Sequence, residues 1–160
     1  MKKMFFILGT FLLVQTSVAN AATNWTPYLK SMLSGCEFGN PTKKLPAVYK
    51  SSIATKKVKG NPNIEDGGVY MTYTLKNSTA FGLPLLKIEY LQGYEWNYLK
   101  LYFKDAKFTT LRPQFKLPKI NKDEAKVVKN DKSGYEVENG GYLSLVFDQK
   151  QKSITCGAGV

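Results

Sequence analysis

The sequence predicts an α+β fold: an N-terminal helix packed on a twisted antiparallel sheet of five to seven strands and tied to it by one disulfide. Three observations predict it. Four segments alternate apolar and polar residues with period two: "VYMTYTLKN", "LPLLKIEYL", "NYLKLYFKD" and "GYLSLVFDQ". Such alternation marks antiparallel strands that lay one face on a core. A short early segment, "TPYLKSML", instead places its apolar residues at helical spacing. Finally, the chain holds two cysteines, Cys36 beside that segment and Cys156 in the last apolar one, "SITCGAGV".

"MKKMFFILGTFLLVQTSVANAA" comes first. It has two lysines, an apolar run from Met4 to about Val14, and a polar tail. Ala19-Asn20-Ala21 is the small-x-small pattern that signal peptidase cuts after. Residues 1–21 are therefore expected to be a secretory signal peptide. Residues 22–160 are expected to be one domain, in the periplasm or secreted. The apolar run is too short to span a membrane, which takes roughly 20 residues. No later segment approaches that length, so no transmembrane segment is expected in the mature chain.

The helix follows. Thr26 suits the N-cap, Pro27 the first helical position and Gly35 the residue just past the end. Tyr28, Leu29, Met32 and Leu33 then share one side. "LSGC", Leu33 to Cys36, also spells a lipobox, whose cysteine is lipidated. A lipobox must directly follow the apolar run, and Ala22 to Met32 intervene here. The motif is read as a helix terminus. Two cysteines in an oxidising compartment then predict a Cys36–Cys156 disulfide. In the chain-entropy model a loop of about 100 residues is worth roughly 4.7 kcal/mol. No Cys-x-x-Cys occurs and the chain contains no histidine, so a Cys-His pair is excluded.

After Cys36, "CEFGNPTKKLPAVYKSS" is turn-rich, with room for an irregular strand or a turn of helix. "IATKKVKG" reads as a short basic strand and "NPNIEDGG" as a turn. The alternating segments come next. Val69, Met71, Tyr73 and Leu75 share one face, opposite Tyr70, Thr72 and Thr74. Leu86, Ile88 and Tyr90 oppose Lys87 and Glu89. Leu99, Leu101 and Phe103 oppose Tyr98, Lys100, Tyr102 and Lys104. Leu143, Leu145 and Phe147 oppose Tyr142, Ser144 and Val146. Pro113 limits "AKFTTLRPQF" to a short helix. "KLPKINKDEAKVVKNDKSG" reads as an exposed connection, with a helical turn at Asp123 to Val128 as the alternative.

Composition narrows the chemistry. The chain has 23 basic and 12 acidic residues; without Lys2 and Lys3 the net charge falls from +11 to +9. Such a charge favours an acidic protein, anionic lipid or anionic glycan as partner. Arg112 is the single arginine, which weighs against nucleic acid, since arginine is the usual base reader. The absence of histidine removes the Ser-His-Asp triad and the common zinc sites. Glu89 and Glu95, in "IEYLQGYEWNY", make the most glycosidase-like pair. They are read as solvated acids beside a turn at Gln92-Gly93. "EDGG" at Glu65 lacks the ligand spacing of a calcium loop. No cofactor, metal site or enzymatic activity is expected.

What remains is an aromatic-basic stripe. Tyr98, Lys100, Tyr102 and Lys104 project from the non-core side, as do Tyr70 and Tyr142. Tyrosine is common at interface hot spots. It is also simply favoured on exposed strands. The expectation is a non-enzymatic protein-binding module, such as an immunity protein or an inhibitor of an effector that targets the cell envelope. The alternative is a binder of a lipid or an anionic envelope glycan.

Overall fold

The computed structural model describes residues 21–39, 45–60, 68–105, 107–121 and 124–160. The expected signal peptide, save Ala21, and the "NPNIEDGG" turn up to Gly67 lie outside them. The chain is rich in sheet, with short helical turns and one disulfide. Among the described residues ten strands form: β1 Thr23–Asn24, β2 Ile53–Lys59, β3 Val69–Leu75, β4 Ser78–Ala80, β5 Leu83–Gln92, β6 Trp96–Phe103, β7 Lys126–Asp131, β8 Gly134–Glu138, β9 Tyr142–Asp148 and β10 Ser153–Gly159. This corrects the expected five to seven.

The strands run β2-β3-β5-β6-β10-β9-β8-β7 across the sheet. Every pairing in that series is antiparallel. β4 continues along the same edge of β5 as β3, and β1 lies parallel to β4. Between β4 and β5 the two-residue turn Phe81-Gly82 has positive φ at both positions, 51° and 78°. Those angles match the right-handed strand twist of a type I′ hairpin.

The expected single helix is several short turns. α1 is Thr26–Leu29, and a 3-10 turn, Lys30–Leu33, continues it. Trp25, not Thr26, occupies the N-cap position, and the Thr26 hydroxyl accepts the Phe81 amide at 2.7 Å. Thr26 is thus spent on tying the helix to the β4–β5 turn. Leu29 and Met32 are buried as the helical spacing predicts. α2, Ala47–Lys50, stands where the sequence left room for an irregular strand or a turn of helix before β2. Arg112–Gln114 is a single 3-10 turn with Pro113 near its start.

Gly35 explains "LSGC". Its φ is +84°, and a Cβ there would stand 2.7 Å from the Pro118 Cα. The chain needs glycine to leave the helix and approach residues 116–118. Cys36 follows and joins Cys156 on β10, with Cα atoms 5.3 Å apart.

The core lies on the apolar face. Met71, Tyr73 and Leu75, then Leu99, Leu101 and Phe103, then Leu145 and Phe147 are all buried, as their alternation predicts. Trp25, Leu29 and Met32 from the first helical turns, and Phe108, Leu111 and Phe115 from the β6–β7 connection, are buried with them in one cluster. Edge-to-face rings close the second group: Phe108 stands 5.8 Å from Phe103 and 5.4 Å from Phe147.

Two strands depart from expectation. A bulge between Leu85 and Lys87 shifts the start of β5, so Leu85 is buried and Leu86 is 47% exposed. An extra residue in one strand reverses the facing of those before it. The stretch read as an exposed connection with a possible helical turn forms β7, whose six residues are all exposed. A strand exposed on both faces has no alternation to recognise.

Candidate functional site

The outer face of the sheet carries the predicted stripe. Cross-strand register sets its rows. One row reads Lys59, Tyr70, Leu91, Tyr98, Gly157 and Ser144 from β2 to β9. The next reads Lys57, Thr72, Glu89, Lys100, Thr155 and Val146. At the far end Trp96, Gly159 and Tyr142 face one another. The structure therefore brings Tyr70 on β3 and Tyr98, Lys100 and Tyr102 on β6 to the two strands that flank β5. Tyr142 sits across β10 from Trp96. Lys104 lies just past the end of β6, exposed, and its carbonyl accepts the Lys152 ammonium at 3.1 Å.

Glu89 is the centre of this face, and it is not the solvated acid the sequence suggests. It is 8% exposed. Lys87 Nζ donates to Oε1 at 2.7 Å, and the Tyr102 hydroxyl donates to Oε2 at 2.5 Å. Burial alone would raise its pKa, but hydrogen bonds from Lys87, Tyr102 and Tyr70, with the Lys87 charge, hold it below the usual carboxylate value. The carboxylate stays ionised. Its counterpart is visible on Tyr102, where burial first and then the bond to Glu89 push the phenol well above its ordinary value.

The ring of Tyr102 is clamped by cations. Lys87 Nζ lies 3.8 Å from its centroid and Lys100 Nζ 5.0 Å. Lys100 also donates to Gln151 Oε1. Cations over a tyrosine face are attracted to it. Two lysines, normally floppy, are thus held in fixed positions around one ring and one carboxylate.

Beyond this cluster lies an aromatic shelf. Trp96 and Tyr98 stand 6.0 Å apart at 33°. Trp96 is 50% and Tyr142 41% exposed. Between them β10 presents Gly157 and Gly159. A Cβ on Gly159 would fall 2.5 Å from the Tyr142 ring, so that ring rests on bare backbone. Trp96 was not singled out from sequence, and Glu89 was read there as a solvated acid. The signal for Trp96 was present: it shares parity with Tyr98, Lys100 and Tyr102.

Other features have local roles. Arg112 donates to Asp131 O, Phe115 O, Asn130 Oδ1 and Gly134 O, which ties the β6–β7 connection to the β7–β8 turn. An apolar hollow between α1 and the sheet, lined by Trp25, Leu29, Met32 and Ile88 among others, holds about 20 Å³. That is room for roughly one water and not for an acyl chain. Glu95 is exposed in the β5–β6 turn. Among the described residues no three Cys, Asp or Glu side chains gather as a metal site, and no helix is long and apolar enough to cross a membrane.

Comparison of the chain with protein-family models, with curated proteins and with solved structures finds no match.

Proposed function

We propose that this protein is an exported, non-enzymatic binding module that takes an acidic protein partner on the outer face of its sheet. An immunity protein or an inhibitor of an envelope-targeting effector fits that description. The observation that carries the reading is the Trp96–Tyr98–Tyr142 shelf beside the clamped lysines. Half-exposed aromatics have few rotatable bonds and lose little entropy on binding. Lys87 and Lys100, fixed around Tyr102, favour an acidic surface opposite. Glu89 has no spare role as a general acid, because it is ionised and committed to three donors.

The test is affinity capture from envelope extract with tagged mature protein, read by mass spectrometry for proteins, lipids and glycans. An acidic protein should be recovered in stoichiometric amount by the wild type and lost with Trp96→Ala and Tyr98→Ala. Recovery of lipid or glycan alone, or capture indifferent to both substitutions, overturns the reading.

A further inference from the structure

We propose that the free edge of β2 binds an extended acidic segment of the partner, which adds a strand to the sheet. This rests on the reading of the chain as a protein-binding module and names a recognition mode for it. Among the described residues β2 pairs with β3 alone, so its other edge presents unpaired backbone N–H and C=O groups. Six of its seven residues are exposed. Its register is unbroken from Thr55 to Lys59, the one irregularity lying at its start.

The opposite edge is a poorer template. β7 is bulged in its middle, between Val127 and Lys129. A bulge bends an edge away from pairing. Its charges are also mixed, with Lys129 3.8 Å from Asp131.

Charge selects what the β2 edge accepts. The strand carries Lys56, Lys57 and Lys59 and no acid. A second copy laid antiparallel would oppose lysine to lysine, and like charges on facing strands repel. A glycan or lipid head group has no peptide ladder to offer. An acidic extended polypeptide supplies both the ladder and the charge. Lys57 and Lys59 face the same side as Thr72 and Tyr70, so the added strand would extend the rows that lead to Lys100 and Tyr98.

The probe is a capped peptide of alternating glutamate and valine, with its lysine-valine counterpart as control. Amide hydrogen exchange is followed on the disulfide-intact mature protein. The acidic peptide should protect the amides of residues 53–59, bind more weakly as salt rises, and outcompete the basic one. Replacing Lys56, Lys57 and Lys59 together by glutamate should weaken the acidic peptide at least about tenfold and reverse the preference. Protection at β7, no protection, or an unreversed preference overturns the proposal; the wild-type exchange map decides even if the triple variant misfolds. Trp96→Ala should leave peptide binding intact. If the captured partner is lost with Trp96→Ala yet kept by the glutamate variant, the edge proposal fails and the face reading stands. If the peptide protects 53–59 while Trp96→Ala and Tyr98→Ala keep the partner, the face reading fails alone.

Discussion

The two faces of this sheet are built from the same strands but hold together differently. The inner face buries rings and aliphatic chains, with Phe103, Phe108 and Phe147 meeting edge to face. The outer face buries a charge, Glu89, under Lys87 and Tyr102. Hydrophobic burial is non-directional and grows with area. A buried carboxylate depends on a few donors in defined places. The inner face therefore makes the fold stable, while the outer face makes one arrangement of lysines and tyrosines specific.

The sharpest contrast is between neighbours in sequence. Phe103→Ala should cost about 3–5 kcal/mol in denaturant unfolding, through the cavity it leaves. Removing the disulfide by Cys36→Ala with Cys156→Ala should cost about 2–5 kcal/mol. That bond lies on the inner side, so the raised Tyr102 ionisation should survive in the double variant, read by ultraviolet titration. Tyr102→Ala should cost about 1–3 kcal/mol, since it orphans one Glu89 oxygen. A cost below about 0.5 kcal/mol, the usual surface value, would erase the difference between the faces.

A smaller effect follows acidification. Glu89 is depressed in the folded state relative to about 4.3 in the unfolded chain. Its stabilisation is present above that value and is lost as pH falls through the lower folded value. The melting temperature should drop in that acid range, and Glu89→Gln should flatten part of the drop. An unchanged acid limb in Glu89→Gln would mean the carboxylate is not held as described. The smallest expected effect is Trp96→Ala, which should leave the melting temperature nearly unchanged because its ring is half exposed.

Much of this was legible in the chain. Period-two alternation located β3, β6 and β9 and assigned their faces, and the Cys36–Cys156 bond expected from the sequence is present. β7 was missed because it has no buried face. β4 was missed because three residues carry no period. The fate of Glu89 was hidden for a different reason. Its own strand places it on the polar side, but its burial comes from Tyr70 and Tyr102 on the flanking strands. Those neighbours are set by register, which local pattern does not reveal. Leu86 was misplaced by one inserted residue for the same reason.

The Cys36–Cys156 link spans 120 positions. It turns nearly all the described sheet into one covalent ring. A single cut by a protease anywhere inside that ring opens the circle without releasing a piece. The nicked molecule would run as two fragments on a reducing gel and as one species on a non-reducing gel. Damage to an exposed turn would thus leave both halves of the sheet tethered at high effective concentration, ready to re-pair.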